Sequence, residues 1–231
     1  MPTAHITDIS TLPLFDRITP ADCTLLFDCL GCRIRRYAKD EHIRLERELD
    51  GNVGTILEGT VHLYKEDVWG GRALIAYLKE GDLFGETFVF NGLSPDRDGV
   101  SYIAASNALI LFLPGSRILH PCKNSCPFHH SLAQNMFSMI ADKNRRLMQK
   151  IEATSRGSVR DKILTFLSME ARRQGSATFV LPLNRTEMAE YLCINRSAMT
   201  RELSALKKEG LIDIDRDRFT LYSADLVPEP M

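Results

Sequence analysis

Several features that would assign this chain to a membrane or secreted protein are missing from its 231 residues. No apolar run approaches the roughly 18 residues that a membrane-spanning helix needs, and Ala108–Leu113 is among the longest. The N-terminus lacks the basic segment and apolar core of a secretory signal, so we expect a cytoplasmic protein with no membrane partner. In that compartment the six cysteines should be reduced thiols or metal ligands, not disulfides.

Short catalytic motifs are also missing. The sequence contains no Gly-x-Ser-x-Gly, no His-Glu-x-x-His and no phosphate-binding glycine loop. A cupin-like metal oxygenase would need closely paired histidines, and the histidines at 5, 42, 62, 120, 129 and 130 show no His-x-His spacing. We therefore predict that the protein is not an enzyme, and its cofactors are unknown.

A strong overall charge is missing too, since 29 Lys and Arg residues nearly balance 30 Asp and Glu residues. The basic residues are unevenly placed, because residues 154–210 hold ten Lys/Arg against six Asp/Glu. A nucleic-acid partner is therefore indicated only by the position of the basic residues and not by the net charge of the chain.

What the sequence does contain is a helix–turn–helix pattern between residues 183 and 210. Asn184 can cap the first helix, with Glu187 as its capping-box partner, and Asn195 can cap the second helix after a turn at residues 193–194. An apolar stripe is expected on each helix: Met188, Ala189 and Leu192 on the first, and Met199, Leu203 and Leu206 on the second.

The opposite face of the second helix carries hydrogen-bond donors: Arg196, Ser197, Thr200, Arg201, Ser204, Lys207 and Lys208. Such a face suits a major groove, because Arg bonds bidentately to guanine and Lys neutralises phosphate. The alternative is an ordinary amphipathic helix pair with a solvated basic face. The alternating residues after Gly210, with a charged turn near Asp215–Arg218, predict a β-hairpin and hence a winged helix-turn-helix.

The first half of the chain predicts a helix followed by a β-barrel. Thr19 and Gly31 bound the helix, and its apolar stripe is expected at Leu25, Leu26, Cys29 and Leu30. From Cys32 to Leu113 the hydrophobic period changes to two, with turn signals every 8–12 residues. A small barrel of this kind can enclose one small ligand. The segment Pro114–Pro127 reads as an interruption.

A long helix is expected over residues 128–152. Its apolar residues fall near a 3.5-residue spacing with one polar member: Ala133, Met136, Ile140, Asn144, Leu147 and Ile151. This pattern favours a homodimeric coiled-coil seam, in which Asn144 would fix the register. The alternative is a helix that packs only on its own barrel. Residues 155–158 look like a hinge, so we predict three regions: a sensing barrel 1–126, a dimerisation helix 127–153 and a DNA-binding domain 154–231.

The order barrel, long helix, hinge and winged helix resembles the CRP/FNR superfamily of bacterial transcription regulators. The most specific pieces are Gly81-Asp82-Leu83-Phe84-Gly85-Glu86 and Asn195-Arg196-Ser197-Ala198-Met199-Thr200-Arg201-Glu202-Leu203. The resemblance implies an α+β fold with a cyclic-nucleotide-binding-like jelly roll, a homodimer on a two-fold symmetric double-stranded DNA site, and RNA polymerase as a further partner.

The DNA-binding residues that follow from the residues and the resemblance together are Arg196, Ser197, Thr200, Arg201, Lys207 and Lys208. Ser197 stands where familiar members of the superfamily have Glu, so a different half-site is expected. The function predicted is a DNA-binding regulator controlled by a small-molecule or redox/metal signal. The alternative is a cupin-like small-molecule- or metal-binding protein without a DNA-binding role.

Two candidate signal sites follow. Gly85, Glu86, Thr87 and Arg97 form a candidate effector site, but Asp98-Gly99 stands where cyclic-AMP-binding relatives have Arg-Ser, and Asp98 would repel a phosphate. We therefore expect an effector other than a cyclic nucleotide. The alternative reading of Glu86 is a structural turn whose carboxylate bonds to the backbone.

The second candidate site consists of Cys122, Cys126 and His129, which could bind metal or form a redox-sensitive pair. The alternative is two loop cysteines beside solvent-facing histidines. An iron–sulfur cluster on Cys23, Cys29 and Cys32 is disfavoured, because Cys23 and Cys29 point to different faces of one predicted helix.

Overall fold

The computed structural model describes residues 9–43, 51–91, 99–119 and 127–222. The chain divides into two compact units, Met1–Lys143 and Asn144–Met231. Among the described helices, none is both long enough and apolar enough to cross a membrane. The three predicted regions of the chain remain a prediction.

The N-terminal unit begins with a short 3-10 helix, Pro13–Phe15, and helix α1, Pro20–Leu30. Helix α1 begins and ends as predicted: the Thr19 side chain accepts a hydrogen bond from the Asp22 amide, and Gly31 adopts a left-handed conformation with φ of 69°. The predicted apolar stripe was partly wrong, because Leu25 is 59% exposed. The helix is rotated so that its buried residues are Cys23, Leu26, Phe27 and Leu30.

In the described part of this unit, seven strands form two antiparallel sheets around one core, which confirms the predicted barrel. The strands are β1 (Arg33–Tyr37), β2 (Asn52–Glu58), β3 (Val61–Glu66), β4 (Arg72–Leu78), β5 (Leu83–Phe84), β6 (Val100–Ala104) and β7 (Ala108–Pro114). The first sheet has the order β1-β7-β2-β5 and the second has the order β4-β3-β6. Buried residues from both sheets belong to a single hydrophobic cluster.

Aromatic rings fill the space between the two sheets. The Phe84 ring lies 4.9 Å from the Tyr102 ring and 6.3 Å from the Phe112 ring, measured between centroids. A Cβ atom on Gly54 would lie 2.4 Å from Cζ of Phe84, so only glycine allows this strand to pass so close to the ring. The interior at this level is therefore occupied by the protein's own side chains.

Two short helices flank the barrel, α2 (Glu86–Asn91) and α3 (Gly115–Leu119). Helix α3 lies within the segment predicted as an interruption. It was missed because it is shorter than the two turns over which a helical period becomes visible.

The long helix α4 spans Pro127–Thr154, close to its predicted limits. The predicted seam along it was partly wrong: Asn144 and Ile151 are exposed, but its other four members are buried or half-buried. Met136, a predicted seam residue, is 2% exposed and packs with Leu132 in the core of the N-terminal unit, whereas Phe137 is 67% exposed. One row of exposed residues along the helix consists of Phe137, Ala141, Asn144, Met148 and Ile151. We call this row the α4 seam.

The C-terminal unit continues with α5 (Val159–Gln174), β8 (Thr178–Val180), α6 (Arg185–Tyr191), α7 (Arg196–Lys208), β9 (Ile212–Asp215) and β10 (Arg218–Leu221). The three strands form one antiparallel sheet in the order β8-β10-β9, and the hairpin β9–β10 confirms the predicted wing. The predicted apolar stripes of α6 and α7 are both buried.

Candidate nucleic-acid interface and sensor residues

The corner between α6 and α7 is fixed by side-chain caps at both helix starts. Asn184 accepts hydrogen bonds from the amides of Thr186 and Glu187, and the Glu187 carboxylate accepts one from the Asn184 amide at 2.7 Å. This is the predicted capping box. Asn195 caps α7 through the Ser197 amide at 2.9 Å. The turn between the helices bends sharply because Cys193 adopts a left-handed conformation with φ of 52°.

All of the donors predicted on α7 lie on its exposed face. Its hydroxyls bond within the helix: Ser197 donates to the Asn195 carbonyl oxygen Oδ1, Thr200 to the Arg196 backbone oxygen, and Ser204 to the Thr200 backbone oxygen. Each hydroxyl oxygen keeps lone pairs directed outwards, so these side chains can accept from a base amino group.

The cations on this face differ in their surroundings. Within the described part of the chain, Arg196, Arg201 and Lys208 form no salt bridge. Lys207 differs, because its Nζ lies 2.6 Å from a carboxylate oxygen of Asp213 and donates to the Ile214 backbone oxygen at 3.0 Å. Hydrogen bonding to Lys207 lowers the pKa of Asp213. Lys207 therefore ties α7 to β9 of the wing, and its role towards phosphate stays a prediction.

The wing is held against α6 by Arg185. Its guanidinium lies over the Phe219 ring at 4.9 Å from the centroid and donates to the Arg216 backbone oxygen at 3.2 Å. Burial lowers the pKa of Arg185. Arg216 itself adopts a left-handed conformation with φ of 55° at the exposed tip of the hairpin. Arg185 therefore holds the hairpin through Phe219 and the Arg216 backbone, while the side chains of Arg216 and Arg218 are exposed to solvent.

The candidate effector residues surround a buried ion pair. Gly85 and Glu86 are buried, Thr87 is exposed, and Arg97 lies outside the described residues. Among the described residues, the Glu86 carboxylate bonds to Lys143 on α4 and not to the backbone of a turn, so that alternative was wrong: its Oε1 lies 2.6 Å from Nζ of Lys143. Its Oε2 is buried and has no hydrogen-bond partner within the described residues. Burial and the Glu86 charge raise the pKa of Tyr102, whose hydroxyl accepts from the Gly85 amide at 3.4 Å.

The predicted cysteine site is only partly visible, because Cys122 and Cys126 lie outside the described residues. His129 is 4% exposed, not solvent-facing, and its Nε2 lies 3.9 Å from Sγ of Cys29. Burial lowers the pKa of His129 and raises the pKa of Cys23 to about 11 and that of Cys32 to about 12. Within the described ranges, no group of three or more His, Cys, Asp or Glu side chains is arranged to hold a metal.

Two residues at these sites were missed from the sequence, Lys143 and Arg160. Lys143 pairs with Glu86 and Arg160 pairs with Glu202, and in both pairs the partners are more than 40 positions apart in the chain. A local sequence pattern carries no record of such a pair.

The comparisons with known proteins match both halves of the chain. The cyclic nucleotide-binding domain family matches residues 34–125, and the Crp-like helix-turn-helix domain family matches residues 161–225. The transcriptional activator protein FnrL of Cereibacter sphaeroides is 26% identical over 181 residues, which cover 74% of this chain and 68% of that protein. The cyclic AMP receptor protein of Thermus thermophilus is 22% identical over 94% of this chain and 95% of its own length.

A likeness in fold extends to the structure of FixK2 from Bradyrhizobium japonicum. The TM-score is 0.61 at 20% sequence identity, covering 86% of this chain and 98% of that chain.

Proposed function

Since the chain belongs to the CRP/FNR family of DNA-binding transcription regulators, which are not enzymes, we propose that it acts as a homodimer on a two-fold symmetric DNA site. A signal at the N-terminal unit would control its binding to DNA. The cupin-like alternative without a DNA-binding role is set aside, because the C-terminal half matches a helix-turn-helix family.

The α4 seam is the observation that carries the homodimer. Its residues follow one another at intervals of four, three, four and three positions, the spacing of a coiled-coil interface. Phe137, Met148 and Ile151 are 67%, 61% and 57% exposed, which is unusual for three large apolar side chains on one line. Asn144 lies at the centre of the row, where a polar pair would fix the register.

In the proposed complex, α7 enters the major groove in each half-site. Arg196 and Arg201 would read base edges, Ser197 and Thr200 would accept from base amino groups, and Lys208 would hold phosphate. Two recognition helices in one dimer would reach successive major grooves, about 34 Å apart. RNA polymerase is the further partner that we propose for transcription activation or repression.

Glu86 supports a signal at the barrel. Its carboxylate lies between β5 and α4 and is already engaged by Lys143, so an effector that reaches Glu86 would have to compete with a residue of α4. Displacement of Lys143 would remove one of the contacts that hold α4 against the barrel, directly beside Asn144 of the α4 seam. A metal or redox signal is the second candidate, because the buried Nδ1 of His129 has no hydrogen-bond partner in the described part of the chain and its Nε2 faces a thiol.

A sequence selected from a random DNA pool tests this proposal. We expect the selected site to be two-fold symmetric and to bind two chains, as measured by analytical ultracentrifugation of the complex. A half-site should bind at least about tenfold more weakly than the full site, because it engages only one recognition helix. Selection of no sequence, or a single chain bound to an asymmetric site, would contradict the proposal.

A further inference from the structure

The recognition helix α7 carries a carboxylate that its exposed face does not reveal. Glu202 lies next to Arg201 in the sequence but is half-buried on the side of α7 that packs towards α5. Glu209 follows seven positions later, at the C-terminal cap of the same helix. Seven residues correspond to about two helical turns, so both carboxylates lie along one flank of α7. Left uncompensated, two negative charges on a DNA-reading helix would repel phosphate.

Arg160 binds both of these carboxylates. Its Nη1 lies 3.0 Å from Oε1 of Glu202 and 3.1 Å from Oε1 of Glu209, and its Nη2 contacts Oε2 of Glu209. These hydrogen bonds raise the pKa of Arg160 and lower the pKa of Glu209. One planar guanidinium thereby bridges two points on the flank of α7, which a lysine with its single ammonium group cannot do with the same geometry.

The position of Arg160 in α5 is otherwise unfavourable. It is the second residue of the helix, two positions after the Ser158 cap, where the helix dipole favours acidic side chains and disfavours a cation. The first turn of α5 does hold an acidic residue, Asp161, which is engaged by the cap. The contacts with α7 therefore account for a cation at this place.

We propose that Arg160 is a positioning residue for DNA recognition: it neutralises Glu202 and Glu209 and fixes the flank of α7 against the start of α5. The proposal rests on the DNA-binding role of α7 given above. Arg160 itself does not touch DNA in this proposal. It acts by leaving Arg196, Arg201 and Lys208 as the charges that a phosphate backbone meets.

The test uses the full-length chain and a DNA site selected with the wild-type protein, so a failure of the proposed function would appear before any variant is made. We expect Arg160→Met to bind that site about tenfold more weakly at low salt. The difference should shrink to about twofold at high salt, because salt screens partly exposed charges. A loss that came only from misplaced packing would persist at all salt concentrations.

Two further variants keep the test decisive. Combining Arg160→Met with Glu202→Gln and Glu209→Gln should restore affinity to within about threefold of wild type, because the repelling charges are gone. Arg160→Lys, which keeps the charge, should lose less affinity than Arg160→Met. Thermal melting of each variant checks that the C-terminal unit remains folded.

Three outcomes would overturn the proposal. Unchanged DNA affinity in Arg160→Met would show that the carboxylates need no compensation. An equal loss in Arg160→Lys and Arg160→Met would exclude a role for the charge. A loss that persists in the triple variant, with the salt dependence reduced by about one phosphate contact, would make Arg160 a direct phosphate ligand instead.

Discussion

Replacement of Lys143 by methionine is the sharpest test of how α4 is attached to the barrel. The side chains of Lys143 and Glu86 are 18% and 8% exposed, and their charged atoms lie 2.6 Å apart. Methionine keeps the length and most of the apolar stem of lysine but removes the charge. The variant would leave the Glu86 carboxylate buried with no ionic partner among the described residues, where its Oε2 lacks a hydrogen-bond partner already.

The expected loss of stability in Lys143→Met follows from the burial of the Lys143–Glu86 ion pair. Removing one member of a buried ion pair costs about 3–5 kcal/mol, and the residual exposure of Lys143 favours the lower end of that range. For a unit of this size, each kcal/mol lowers the melting temperature by about 2–4 °C. We therefore expect Lys143→Met to lower the melting temperature of the N-terminal unit by roughly 6–12 °C. Lys143 also donates to the Leu83 backbone oxygen at 3.4 Å, a contact that the variant loses as well.

Calorimetry on the full chain measures this effect, and Lys65→Met is the matched control. Lys65 is exposed on β3, so its replacement should change stability by less than about 0.5 kcal/mol. The double variant with Glu86→Gln should be more stable than Lys143→Met alone, because no charge is left buried. A melting temperature for Lys143→Met equal to that of the Lys65→Met control would refute the reasoning, as would strictly additive effects of Glu86→Gln and Lys143→Met.

Three other predictions concern the rest of the molecule. Met148→Glu should convert the dimer to a monomer in sedimentation experiments. The control Val68→Glu should leave the dimer intact, because Val68 is 89% exposed at the tip of a hairpin. A dimeric Met148→Glu variant would exclude the α4 seam as the dimer interface. Arg201→Ala should cost about 1–3 kcal/mol of binding free energy on the selected DNA site and relax the protein's sequence preference. Lys208→Ala should instead weaken binding to all sequences equally and lower the salt dependence of binding. Equal losses of affinity from Arg201→Ala on all sequences would contradict a base-reading role for Arg201. Burial lowers the pKa of Lys150 to about 8, against about 10.5 in the unfolded chain. Between these two pH values the unfolded state binds more protons, so the stability of the C-terminal unit should rise with pH across that window. Lys150→Met should remove up to about 2 kcal/mol of that rise in urea titrations, and an unchanged pH profile would show that Lys150 is charged throughout the window.

The C-terminal unit could be predicted closely because its signals are local. Asn184 and Asn195 cap helices whose starts lie within three residues of them, and a capping box is written in four consecutive positions. The wing could be predicted equally well, since alternating apolar and polar residues on both sides of a charged turn specify a hairpin and its register. The exposed donors of α7 then follow from the helical period alone.

The rotation of α1 and α4 could not be predicted in the same way. Both helices carry apolar residues around much of their circumference, so the period leaves more than one candidate stripe. On α1, Leu25 and Leu26 are adjacent, and only packing against the barrel decides that Leu26 is buried and Leu25 is exposed. On α4, Met136 and Phe137 pose the same choice, and the tertiary contacts of the N-terminal unit bury Met136.

The two faces of α4 would allow one helix to serve both the fold of the N-terminal unit and the proposed dimer interface. Lys143 is held in the N-terminal unit by Glu86, while its neighbour Asn144 lies on the exposed α4 seam. Adjacent residues of a helix are 100° apart around its axis, so any rotation of α4 at Lys143 also turns Asn144, and other points that hold α4 limit that rotation. Asn135 is such a holding point, because its amide donates to the backbone oxygens of Leu14 and Asp16 at 3.1 and 2.7 Å. Two turns separate Asn135 from Lys143, so the Glu86 contact is the holding point nearer to Asn144 and the one whose loss we expect to affect the α4 seam there.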